Sequence, residues 1–269
     1  MNTRLTKEDQ EIIKAAKGNK VSGPIYIEDG LRLLKVLGNP EYIEVKNGVK
    51  AICDEACLGL DNLHDVVLPA SVTDLGTRAF ASCIKLFKIT MPGVDFIGME
   101  SFAHCENLKE IALPETLGKI WKAAFADCKA LEEINIPSQL KIIDMSAFRN
   151  SGLKSLNIVI SEDCKCCIYD KAFASCKHME SVYLNKNVKI VERMAFADCT
   201  SLKTIEFEQP SLTCCAGEIN ATLLIGCTSL DKIIVPKNKY NHYPDFNIQG
   251  YESAQFETRD FNSLVTPKE

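Results

Sequence analysis

A fifteen-residue pattern returns through this chain about every 23 residues, and no other feature constrains the fold as strongly. RAFASCIKLFKITMP (78–92) recurs as ESFAHCENLKEIALP (100–114) and AAFADCKALEEINIP (123–137). A shortened copy, SAFRNSGLKSLNIVI (146–160), is followed by KAFASCKHMESVYLN (171–185) and MAFADCTSLKTIEFE (193–207). EACLGLDNLHDVVLP (55–69) and TLLIGCTSLDKIIVP (222–236) are divergent copies. Aligned on the aromatic, the units place Cys57, Phe80, Phe102, Phe125, Phe148, Phe173, Phe196 and Leu224 in one slot, at spacings of 23, 22, 23, 23, 25, 23 and 28. Three residues on come Leu60, Cys83, Cys105, Cys128, Ser151, Cys176, Cys199 and Cys227. An apolar residue stands five positions before the aromatic, from Ile52 and Leu75 through Val191 and Ile219.

The periods within one unit set its local structure. In LEEINIP (131–137), Ile134 and Ile136 alternate with Asn135, the period-2 sign of a strand with one buried face. The proline that follows (Pro69, Pro92, Pro114, Pro137, Pro236) cannot donate to a ladder and ends the strand. The Phe-x-x-Cys spacing puts both side chains on the inward side of a helical turn. A unit of 23 residues cannot bury its own apolar face, so equivalent strands stack in parallel and stability belongs to the array.

These residues resemble the BspA-like leucine-rich repeat family, whose pattern is similar to I-x-x-x-A-F-x-x-C-x-x-L-x-x-I-x-I-P. The resemblance spans about residues 49–236. The expected fold is an α/β leucine-rich-repeat solenoid of about eight 23-residue units. A curved parallel sheet lines its concave face, with short turns or helical turns on the convex side. The resemblance also implies a binding role, since members are often surface or secreted adhesins; it supplies no catalytic residue and no particular ligand.

Three regions follow from the frame: an N-terminal cap (1–48), the solenoid (49–236) and a C-terminal cap or tail (237–269). In the first, Thr6 and Asp9 resemble a capping box before Ile12, Ile13 and Ala16, with Gly18 as a stop. A second apolar stretch, Leu31 to Leu37, ends at Gly38-Asn39-Pro40, so one helix or two is expected there. The last region carries Tyr240, Tyr243, Phe246, Tyr251, Phe256 and Phe261, read as cover for the final unit or as an aromatic contact site.

Composition narrows the function classes. A charged fraction of 25% and a hydrophobic fraction of 46% argue against disorder and against a coiled coil. A net charge of −5 gives no basic face for nucleic acid. The N-terminus MNTRLTKEDQEIIKAAKG has no apolar h-region, and the uncharged run Ile219–Leu230 is 12 residues where a spanning helix needs about 20. The expectation is therefore a cytoplasmic monomer with no membrane span and an unknown protein partner; the resemblance favours a surface or secreted location. The triplet Asn220-Ala221-Thr222 matters only in a secretory compartment.

Six of the 13 cysteines fill the repeat slot, where a small hydrophobe packs well and parallel Cβ vectors disfavour disulfides. Cys164, Cys166, Cys167, Cys214 and Cys215 fall in two insertions, and Cys53 is off-slot. They leave a thiol-rich metal binder as a distant alternative, without paired C-x-x-C modules. No phosphate-loop, dinucleotide, nucleophile-elbow or H-E-x-x-H motif occurs, and His64, His104, His178 and His242 are scattered. No cofactor is implied, and a non-enzymatic protein is expected. The outward strand positions line the concave face, where solenoids bind. Asp65, Lys88, Glu110, Glu133, Asn135, Asn157, Tyr183 and Glu206 are the candidate binding residues, with Tyr183 as anchor because tyrosine is enriched at hot spots.

Overall fold

In coils 1–3 and 5–7 each repeat closes into one flattened coil with a strand on two of its sides. The structure, a computed structural model, describes residues 2–208, 222–236 and 255–259. In chain order the elements are helix α1 (Lys7–Gly18), β1 (Gly23–Tyr26), β2 (Arg32–Leu37), β3 (Tyr42–Glu44), β4 (Ala51–Ile52), β5 (Asp65–Val67), β6 (Asp74–Leu75), β7 (Lys88–Thr90), β8 (Phe96–Ile97), β9 (Glu110–Ile111), β10 (Lys119–Ile120), β11 (Ile142–Ile143), β12 (Ser155–Ile158), β13 (Cys166–Ile168), β14 (Ser181–Leu184), β15 (Val188–Val191), β16 (Thr204–Phe207), β17 (Lys232–Pro236) and β18 (Gln255–Arg259). We number the coils by their aromatic-slot residue, from Cys57 in coil 1 to Leu224 in coil 8.

The alternating apolar pairs form the main face, as the repeat frame predicts. There β3-β5-β7-β9 and β12-β14-β16-β17-β18 pair side by side, all in parallel. A second face was not foreseen. In coils 1–7 the apolar residue five before the aromatic sits on a short strand of its own, and these seven strands join β1 and β2 in a nine-stranded back ladder, β1-β2-β4-β6-β8-β10-β11-β13-β15. Five of these seven strands have only two residues, too short to show a period of two, so nothing in the sequence marked them.

LEEINIP is the exception on the main face. Residues 131–137 form no strand, which divides that face into four and five strands. Where ladder bonds would reach coil 3, the Asn135 carboxamide takes them over. Its oxygen accepts from the Leu113 N–H at 2.8 Å, and its NH₂ donates to the Leu113 carbonyl at 2.7 Å.

The Phe-x-x-Cys segments are turns rather than helix. Cys105 N–H donates to the Phe102 carbonyl within its coil at 3.1 Å, while Phe102 N–H donates across to Ala124 of the next coil at 2.9 Å. Residues two before and two after the aromatic adopt positive φ, as at Arg78 (56°) and Ser82 (59°). The later position therefore holds Ser82, His104, Asp127, Asn150, Ser175 and Asp198, mostly short polar side chains that tolerate the left-handed region. The short coil 5 needs Gly152, where a Cβ would run into the carbonyl oxygen of Lys129.

Between the faces lies one continuous core. Phe80, Phe102, Phe125, Phe148, Phe173 and Phe196 stack nearly parallel, with ring centroids 5.1–5.6 Å apart. Strand spacing is about 4.8 Å. The ring side therefore advances further per coil and forms the outer arc, leaving the main sheets concave.

Each slot cysteine donates its S–H to the aromatic-slot carbonyl of the preceding coil: Cys105 to Phe80 at 3.1 Å, Cys128 to Phe102 at 3.2 Å, Cys227 to Phe196 at 3.0 Å. Burial pushes the Cys83 thiol up to about 12, so it carries almost no thiolate near neutral pH. The cysteines of the described residues carry free thiols. Alkylation of the native protein followed by mass spectrometry should leave Cys83, Cys105 and Cys128 unmodified. Half-buried Cys167 should react first among the described thiols.

The N-terminal region contains one helix, not two: Leu31–Leu37 contributes β2, which pairs with β1 in an antiparallel hairpin. Both faces already begin upstream of residue 49, at β2 and β3. At the other end β18 extends the main face beside β17. Cys214, Cys215, Asn220, Tyr240, His242, Tyr243, Phe246, Tyr251 and Phe261 lie outside the described residues, as does the side chain of Phe256. No helix of the described residues is long and apolar enough to cross a membrane.

Candidate binding face

The parallel register places the predicted residues in two rows on the concave face. One row runs Asp65, Lys88, Glu110 in paired register, and the other Asn157, Tyr183, Glu206. Alternation explains the placement: in β12 the odd positions Ser155 and Asn157 are exposed while Leu156 and Ile158 are buried. Glu133 and Asn135 stand on the unpaired stretch between the two halves.

Neighbouring side chains already occupy several of these positions. Lys88 and Glu110 form an ion pair at 2.8 Å, which holds the lysine above its ordinary pKa. Asp65 accepts from His64 Nδ1 at 2.8 Å, and the His64 ring stacks on Phe87. Glu206 accepts from Arg259 of β18 at 2.5 Å. The Tyr183 hydroxyl donates to Glu208 at 2.6 Å; burial and that carboxylate raise the phenol well above its usual range. Tyr183 is thus a half-buried, fixed ring rather than a free anchor. Asn157 and Glu133 are exposed and make no contact of this kind among the described residues.

A notch of about 780 Å³ opens at the division of the main face. Ile111, Ala112 and Ile134 form its apolar lining, Met91, Pro92 and Pro114 stand at the strand ends, and Lys88, Lys109, Glu110 and Glu133 supply charge. Sequence reasoning reached Lys88, Glu110, Glu133 and Asn135 but missed the notch, because it read coil 4 as an ordinary strand. The one available signal was Ala112, the smallest side chain in its row.

The other face carries a feature the repeat frame did not anticipate. On the outer side of the back ladder Phe96 packs against Trp121 with centroids 5.3 Å apart, and Lys119 lies over the Trp121 ring at 3.5 Å while pairing with Asp144 at 2.9 Å. Among the described residues, no group of three or more histidine, cysteine or acidic side chains could hold a metal ion. His104 faces Asp127 at 3.6 Å on the convex turns.

Residues 37–157 and 166–257 match the BspA type leucine rich repeat region, in six copies. No curated protein matches the chain. Among solved structures, the T. pallidum leucine rich repeat protein is 21% identical, with 89% of this chain and 98% of that one covered and a TM-score of 0.48. A leucine rich cell surface protein from Faecalibacterium prausnitzii is 19% identical over 79% and 80% of the two chains, with a TM-score of 0.47. A leucine-rich repeat protein from Bacteroides ovatus is 18% identical over 80% and 70%, with a TM-score of 0.45.

Proposed function

We propose that this chain, which belongs to the BspA-type leucine-rich repeat family, is a non-enzymatic protein-interaction module that binds through its concave face. The observation that carries this reading is the register of the main face. Successive coils present their outward side chains in two aligned rows on a rigid ladder, including the exposed and uncommitted Asn157. Solenoids of stacked repeats use such extended concave surfaces for binding. Asp65, Lys88, Glu110, Glu133, Asn135, Asn157, Tyr183 and Glu206 are the residues we assign to it. The existing Lys88–Glu110 and Glu206–Arg259 pairs mean that a partner must match a mixed surface rather than one sign of charge.

The test is affinity capture on the full chain, with each captured protein then titrated against single variants. Asn157→Ala should leave stability within about 0.5 kcal/mol, as expected for an exposed position away from any bond. Partner affinity should fall by about 5–10-fold. Unchanged affinity for both Asn157→Ala and Lys88→Ala would sink the concave-face reading. Family membership also supports a second reading, an adhesin exposed at a cell surface or secreted rather than cytoplasmic. Protease accessibility on intact cells separates those locations.

A further inference from the structure

The binding role proposed above is the premise here, and the division of the main face gives it a place and a kind of contact. In the alternating pairs every inward residue from Val66 to Val235 is buried except Ile111, Ile134 and Ile136. All three flank the division. Two shields are missing there. Ala112 stands over its strand with a single methyl, and the Asn135 carboxamide is drawn down onto the Leu113 main chain at 2.8 and 2.7 Å. Those bonds also hold the two stretches together, so the opening lies above the backbone on the concave side. It admits a side chain and not a strand.

The notch has a volume of about 780 Å³, in the range of ligand pockets, and Ile111, Ala112 and Ile134 are its apolar floor. An apolar floor inside a charged rim is the layout of an interface hot spot, where the centre is desolvated and the surround excludes water.

The rim decides which side chain fits. Lys88 and Glu110 pair with each other at 2.8 Å. Lys109 and Glu133 also line the notch, are exposed, and form no ion pair among the described residues. An aliphatic side chain would answer neither. An aromatic ring answers Lys109 with its face, through cation–π attraction. A tryptophan N–H or a tyrosine O–H answers Glu133, because these rings carry a polar donor that needs a partner once buried. Phenylalanine lacks the donor, and a lysine or arginine would set a charge on an apolar floor.

We propose that the notch is the anchor site of the binding face and takes one tryptophan or tyrosine side chain projecting from the partner protein. The ring rests on Ile111, Ala112 and Ile134. Its N–H or O–H donates to Glu133, and the Lys109 ammonium lies against its face.

Isoleucine δ1-methyl NMR of the full chain reads the site, with N-acetyl-tryptophanamide as the probe. The Ile111 and Ile134 signals should shift with saturation while those of Ile158, Ile205 and Ile233 stay in place. N-acetyl-leucinamide should bind at least fivefold more weakly. Methylating the indole nitrogen of the probe should cost about fivefold, and Glu133→Ala should remove that difference. Glu133 is exposed and uncommitted, so this variant keeps its fold. Ala112→Arg fills the notch from an exposed position and should weaken the probe at least tenfold, with circular dichroism checking the fold. Unmoved Ile111 and Ile134 signals, equal affinity for the leucine probe, or a methylation effect that survives Glu133→Ala overturns the inference. If captured proteins lose affinity to Asn157→Ala but not to Ala112→Arg, the concave binding role stands and the anchor site fails. If the probe behaves as expected while captured proteins ignore every concave variant, the site for an aromatic side chain stands and the broader role fails.

Discussion

Phe125→Ala is expected to cost about 3–5 kcal/mol and to make the array unfold in two steps. Phe125 is fully buried and lies between Phe102 at 5.2 Å and Phe148 at 5.1 Å. Removing the ring opens a cavity and ends both stacking contacts. In a stack of repeats, stability is a sum of coil terms and nearest-neighbour interfaces, so the place of the loss matters as much as its size. At coil 4 the main-face ladder is absent, and the interface with coil 3 rests on the ring stack, the back ladder, the main-chain bonds of the turns, the slot thiols and the Asn135–Leu113 bonds. Loss of the ring there should uncouple coils 1–3 from coils 5–8. Phe173→Ala makes a similar cavity between rings at 5.2 and 5.5 Å, but β12, β14 and β16 still bridge it. Its unfolding should stay a single transition. Urea melts followed by Trp121 fluorescence and by far-ultraviolet circular dichroism decide the matter. Separate curves are expected for Phe125→Ala and coincident ones for Phe173→Ala. Coincidence in both would show that coil 4 is not a mechanical weak point.

The contrast between those two variants marks where sequence reasoning stopped. The aromatic slot, the cysteine slot and the alternating pairs are strong signals because phenylalanine and cysteine each recur in six of the eight units and the apolar pair in all eight. They recovered the parallel stack, the core column and the outward rows. Coil 4 broke the pattern without changing its letters. Ile134 and Ile136 alternate as well as any pair in the chain, yet the Asn135 side chain competes with the backbone for Leu113 and the strand does not form. Local side-chain competition of this kind is invisible to periodicity. The back ladder was missed for the opposite reason: its apolar residue was recognised, but strands of mostly two residues leave no period to read. Candidate binding residues were legible as positions and not as states. Nothing in the spacing tells that Glu208 holds the Tyr183 hydroxyl or that Arg259 reaches back to Glu206.

Arg32→Ala should undock the N-terminal helix. Ile12, Ile13 and Ala16, the apolar residues of its helical pattern, are only half-buried, whereas Asp9 is the helix residue that is buried, at 2% exposure. Asp9 does two jobs there. It closes the capping box, accepting from Thr6 N–H at 2.8 Å, and it accepts two bonds from the Arg32 guanidinium at 2.9 and 3.0 Å. Removing one partner of a buried pair costs about 3–5 kcal/mol, because a charge is left in low dielectric. Here the chain has a cheaper response. The helix lies at one end of the array, so it can detach and return Asp9 to water, and the measured loss is capped at the docking free energy. The expected result is a weaker signal at 222 nm and fast hydrogen exchange across 7–18, with the core column still protected. Acid should act through the same contact. Burial alone would raise the Asp9 pKa, but the Thr6 and Arg32 donors outweigh it and hold the carboxyl below its ordinary value of 3.8. A depressed folded-state pKa contributes stability above the unfolded value, and that contribution is lost as pH falls through the folded one. Helix docking should therefore hold from neutral pH down to about 4 and loosen below it. Arg32→Ala should abolish most of that acid step, since what remains to protonate is a carboxyl already in water. A full acid step in the variant would place the pH dependence elsewhere in the array.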